Sequence, residues 1–132
     1  MWQFAALFLA LAPPAGQRGI TFDDELFGAR QRLTCTWFSN FESSRFVQCE
    51  NAKGELLEIS DGASVKCVRN LCRQMDEAAR KAIDWKRRDA PWGHFKVVLV
   101  GRLSLYPHEK RYIGDGTRTV LVEELTSVLP AE

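Results

Sequence analysis

The chain of 132 residues carries almost no excess charge, with 18 Lys and Arg against 17 Asp and Glu. That balance removes the strongest compositional ground for non-specific nucleic-acid binding, although a local basic patch stays open. Histidine is scarce: only His94 and His108 occur. There is no Gly-x-Ser-x-Gly elbow, His-Glu-x-x-His pair, P-loop or Gly-x-Gly-x-x-Gly turn, and no Cys-x-x-Cys to support thiol–disulfide exchange. Repeats and low-complexity stretches are also lacking. No apolar run reaches the roughly 20 residues that a membrane-crossing helix needs. What is present is a 45% hydrophobic fraction, too high for a wholly disordered chain, in a length that suits one domain.

The longest apolar run is Phe4 to Ala12, nine residues followed by Pro13 and Pro14. This matches the hydrophobic region of an export signal, with small residues at Ala10, Ala12, Ala15 and Gly16 for cleavage. Residues 1–16 are therefore expected to be a signal peptide, although no Lys or Arg precedes the run. The protein is then expected in the periplasm or secreted, where paired disulfides are favoured over free thiols.

Residues 17–29 mix Asp23, Asp24 and Glu25 with Ile20, Phe22, Leu26 and Phe27, and read as a short helix or an ordered arm. From Arg30 the pattern alternates: Leu33, Cys35 and Trp37 fall on one face, with Arg32, Thr34 and Thr36 on the other. A polar break at residues 40–44 precedes a second alternating strand over 45–50. A third is expected over 55–60, ending at the Asp61-Gly62 turn. Val68, Leu71, Cys72, Met75, Ala79, Ala82 and Ile83 then recur at helical spacing, predicting an amphipathic helix of four to five turns that Asp89-Ala90-Pro91 ends. A strand over 95–105 with Gly101 as a bulge or bend, a polar aromatic loop over 106–116 and a last strand over 117–125 complete the chain.

Four cysteines allow two bridges or one zinc site. If the first hairpin turns about Glu42, Trp37 faces Val47 and Cys35 faces Cys49, close enough for a disulfide. Cys67 and Cys72 can meet if residues 67–69 turn before the helix. The expectation is therefore Cys35–Cys49 and Cys67–Cys72, and no metal. The zinc alternative is disfavoured because structural zinc usually takes two ligand pairs two to four residues apart, whereas here 13 and then four residues intervene, and because export favours disulfides.

The order strand-strand-strand-helix-strand-strand, with a Gly101-bearing bent strand, resembles the OB-fold and the small exported OB-fold-like proteins of bacteria. The resemblance covers roughly residues 30–129. It implies a mainly β, five-stranded Greek-key barrel with its helix between strands three and four. It also implies a ligand surface framed by the loops after strands one and four, here 40–44 and 106–116. Phe41, Arg45, Tyr106, His108, Arg111 and Tyr112 would then converge as candidate ligand-binding residues. Aromatics with cations suit an unknown protein partner or a small anionic or aromatic ligand.

No catalytic residue and no cofactor is expected. Neither histidine has a local context that positions a nucleophile. Glu123 and Glu124 alternate on a strand and cannot flank one bond. Gly114-Asp115-Gly116 reads as a turn. Residues 63–95 hold eight Lys and Arg against four Asp and Glu, ending in Lys86-Arg87-Arg88. That cluster could meet an anionic surface, but it reads first as cations at a helix C-terminus. The leading expectation is a non-catalytic exported binding module. The alternatives are an inhibitor or immunity-type protein acting on a partner enzyme, or a binder of single-stranded nucleic acid or another polyanion. Balanced charge and export make nucleic acid the least favoured.

Overall fold

The alternation that begins at Arg30 becomes a strand whose Leu33, Cys35, Trp37 and Ser39 are buried and whose intervening side chains are not. It belongs to a computed structural model that describes residues 18–112 and 114–131. The expected signal segment lies outside the described residues. The elements are β1 (Ile20–Phe22), β2 (Glu25–Phe27), β3 (Gln31–Ser39), β4 (Ser44–Asn51), β5 (Ala63–Cys67), α1 (Leu71–Ala82), β6 (Gly93–Leu103) and β7 (Arg118–Pro130). Among the described residues the protein is mainly β with one helix.

Five strands hydrogen-bond in the order β3-β4-β5-β7-β6, and β6 returns to β3 to close the ring. Every pairing is antiparallel except β5 with β7. Inside lie Leu33, Phe46, Phe95, Val97, Leu99, Val120 and Val122, and α1 lays Leu71, Met75 and Ala79 on that core. A Cβ at Gly101 would collide with the Leu121 carbonyl, so only glycine lets β6 and β7 approach there. Two register shifts, opposite Val98/Leu99 and Val100/Gly101, each leave one extra residue on β7, Thr126 and Glu123, and bend that strand against β6.

Both disulfides form as the sequence leads one to expect, Cys35–Cys49 across β3 and β4 and Cys67–Cys72 at the entrance to α1. They account for all four cysteines, which leaves no thiolate for zinc. Two bridges point to an oxidising, extracytoplasmic environment. Among the described residues no helix is long and apolar enough to cross a membrane.

Several boundaries differ from expectation, each for a local reason. Trp37 pairs with Phe46 rather than Val47, because a bulge follows Thr36 and shifts the hairpin by one residue. The shift turns Phe46 fully into the core and leaves Val47 half-buried. The third strand is β5, after the Gly62 turn, not residues 55–60 before it. That earlier segment keeps a single bridge, Glu50 with Leu56. The helix has 12 residues rather than four to five turns. Asp84, at φ 53°, ends it with the Trp85 N–H on the Arg80 carbonyl and the Asp84 N–H on that of Lys81. This is a Schellman ending with aspartate where glycine usually sits. β7 runs on to Pro130, five residues beyond Leu125.

The N-terminal arm is a hairpin, not a helix. β1 and β2 join through Asp23 and Asp24, both at positive φ, as a tight two-residue turn requires. Phe27 is fully buried. The buried Arg102 donates to the carbonyls of Arg18 (2.5 Å) and Gly28 (3.1 Å) and to Glu123 Oε1 (3.0 Å), tying hairpin to ring.

Candidate functional site

The connection from β6 to β7 keeps one bridge, Ser104 with Phe27, and is otherwise irregular over its described residues 104–112 and 114–117, yet it is fastened near its end. Asp115 is buried and accepts hydrogen bonds from the Ser64 hydroxyl and from the Arg111 N–H at 3.0 Å. The Ser64 oxygen in turn accepts from the Gly116 N–H at 3.1 Å. Burial by itself raises the Asp115 pKa. The Ser64 hydroxyl, the Arg111 N–H and the charges of Arg111 and His108 outweigh it, holding the carboxyl below its ordinary value. Gly114-Asp115-Gly116 is thus a turn, as read, but one that anchors a loop to β5.

That loop is the shared wall of three clefts. The largest, about 680 Å³, lies between Pro107, Thr117 and Arg118 on one side and Val47, Leu56 and Ile59 on the other. A second, about 410 Å³, sets Tyr106, His108 and Arg111 against Asp24, Glu25 and Lys66 at the arm. A third, about 370 Å³, opens where Tyr112 faces Phe41 and Ser43, with Trp37 and Asp76 beneath. The two loops touch there, since a Cβ on Gly114 would overlap Ser43. The Asn40 side chain shapes the opposing turn by accepting from the Glu42 N–H (2.8 Å) and the Ser43 N–H (2.7 Å).

The six candidate residues are therefore divided. Tyr106, His108 and Arg111 share one cleft, and Phe41 and Tyr112 another. Arg45 joins neither. Its guanidinium lies 5.7 Å from the Phe38 ring, which itself packs on His94. The Phe41–Tyr112 cleft includes Glu42 and Asp76 and no cation. The second cleft sets Lys66, Arg111 and the His108 ring against Asp23, Asp24 and Glu25. Both His108 ring nitrogens are engaged, Nδ1 with the Glu109 carbonyl (2.9 Å) and Nε2 with Thr119 Oγ1 (3.0 Å). Among the described residues, no three His, Cys, Asp or Glu side chains gather to hold a metal ion.

Two features escaped the sequence. The 680 Å³ cleft needs residues 55–61 to leave the sheet, whereas their alternation reads as a strand. An aromatic cluster of Phe41, Trp92 and Trp85 also forms, with ring centroids 5.7 and 6.2 Å apart. Phe41 and Trp92 are 51 residues apart, so only the fold brings them together.

The class these observations define is a mainly β, disulfide-linked protein whose five-stranded ring carries one anchored loop bordering three open clefts. Comparison with family models, with curated proteins and with solved structures finds no match for the chain.

Proposed function

We propose that the protein is an exported, OB-fold-like binding module, periplasmic or secreted, whose ligand face is organised around loop 104–117. The fold reading is supported by the ring order. Counting ring strands in chain order, it runs one-two-three-five-four and back to one, with the helix between three and four. Two disulfides support the oxidising compartment.

The single observation that carries the binding reading is that one loop, pinned near its end by buried Asp115, walls three clefts while exposing Tyr106 (67%) and Tyr112 (68%). A rigid, aromatic, water-facing surface of this kind loses little conformational entropy on binding. Its division among several open clefts fits an extended peptide segment of a partner protein better than one compact molecule. Carboxylates beside Phe41 and Tyr112 favour a neutral or cationic side chain at that end. The reading is non-catalytic: His108, the imidazole that lines the second cleft, already spends both nitrogens on local bonds.

A peptide library selected on the immobilised chain tests it. Selected peptides should lose binding to a variant with Tyr106, His108, Arg111 and Tyr112 all replaced by alanine. They should retain it for Lys53→Ala in the turn at the far end of the β3–β4 hairpin. Equal binding to the quadruple variant would show that the face lies elsewhere. The exposure of Leu105 (49%) beside Tyr106 on an anchored loop also favours a second reading, an inhibitor that inserts this loop into a partner enzyme. That reading requires stoichiometric loss of the partner's activity.

A further inference from the structure

We propose that residues 84–92, with Phe41, form a docking surface for an anionic lipid bilayer, which meets the clefts around loop 104–117 only at Phe41 and Ala90. The segment leaves α1 through the Asp84 turn and is held in shape by one side chain. Arg80, itself paired with Asp76 at 2.6 Å, donates to the carbonyls of Arg87 (2.7 Å), Arg88 (3.3 Å) and Asp89 (2.9 Å). The Trp85 indole N–H donates to the Asp89 carbonyl at 3.0 Å, closing the loop on itself. A loop so fastened presents its remaining side chains in a set arrangement.

Those side chains are two kinds in one place. Trp85, Trp92 and Phe41 form the aromatic cluster, with Trp92 44% and Phe41 62% exposed. The Trp92 indole N–H has no hydrogen-bond partner among the described residues. Around the rings stand Lys86, Arg87 and Arg88, all exposed. Lys86 pairs with Asp84 and Arg87 with Asp89, both at the surface where ion pairs hold weakly. Arg88 has no ion-pair partner among the described residues. An exposed indole, Trp92, backed by the half-buried Trp85 and flanked by cations, matches the chemistry of a membrane interface, where rings sit at headgroup depth and cations meet lipid phosphates.

Two observations favour a bilayer over a stacked sugar or base. The Arg87 guanidinium lies 5.1 Å from the centres of both indoles, over ring faces that a flat ligand would need. Phe41 and Ala90 border the third cleft, but none of the three clefts is lined by Trp85, Lys86, Arg87, Arg88 or Trp92, so this part of the patch offers an outward surface and not a recess.

Flotation of the exported chain, without the expected signal segment 1–16, with phosphatidylcholine vesicles, with and without phosphatidylglycerol, tests the proposal. Binding should require phosphatidylglycerol and fall with added salt. Each cation removed should weaken it about fivefold, so Lys86→Gln with Arg88→Gln should cost about 25-fold. These exposed substitutions leave the core untouched. Trp92→Ala should weaken it further, and wild-type tryptophan fluorescence should shift to the blue on binding. Equal binding by the double variant, or equal binding to neutral vesicles, would overturn the proposal. So would capture by a soluble acidic polysaccharide such as alginate without any vesicle binding.

Discussion

Loops 104–117 and 83–92 are both long and irregular, and each is organised by one charged side chain of opposite sign. In the first, the Asp115 carboxylate gathers an O–H and an N–H donor in a buried site. In the second, the Arg80 guanidinium, 28% exposed, gathers three backbone carbonyls near solvent. The chemistry is mirrored but the dielectric setting is not. Removing a buried acceptor strands its donors away from water, whereas freed carbonyls at a surface rehydrate. The first loop should therefore matter more to stability, and the second mainly to the order of what it displays.

The largest effect should come from Asp115→Ala, which strands the Ser64 hydroxyl and the Arg111 N–H. Thermal or urea unfolding should show a loss of roughly 2–4 kcal/mol. The same group sets a pH signature. Its folded-state pKa is depressed, so its stabilisation is complete above the ordinary Asp value of about 3.9 and is lost as pH falls through the lowered folded value. Asp115→Asn should flatten that acid limb, and an unchanged limb would break the contrast between the loops. Next in size is Arg80→Ala, at roughly 1–2 kcal/mol after allowance for exposure. It should also speed amide exchange at residues 85–89, where Arg80 holds the carbonyls of Arg87, Arg88 and Asp89. The smallest is Arg87→Ala, about 0.5–1 kcal/mol, from its exposed contact with two indoles. It would read out chiefly as altered Trp85 and Trp92 fluorescence.

The sequence revealed the parts of this molecule that local pattern governs. The Cys35–Cys49 pair followed from period two and a turn near Glu42, and it holds because the bulge falls after Thr36, beyond the cysteines. The Trp37–Val47 pair failed for the same reason, since a bulge leaves no mark in the alternation. The helix is shorter than its apolar spacing predicts because its left-handed ending uses Asp84, a residue that does not announce a stop as glycine does. Elements 55–60 and β5 were exchanged because Leu57 and Ile59 alternate while the ladder forms only after Gly62.

The site was legible as two loops and not as one cluster. Ser43 and Gly114 do bring them into contact, which element order alone anticipates. Whether Tyr106 and Tyr112 face the same way depends on the bend at Asp115, a tertiary fact set by Ser64 on a distant strand. The Phe41–Trp92 contact is likewise tertiary, and no spacing in the chain encodes it.

The central claim is that Asp115 holds loop 104–117 in the form that binds. The most direct test is the Kd of a peptide selected on the wild-type chain, measured again for Asp115→Asn at neutral pH under conditions where both variants are folded. The account predicts roughly tenfold weaker binding, because the loop must then be ordered on contact. An unchanged Kd would contradict it.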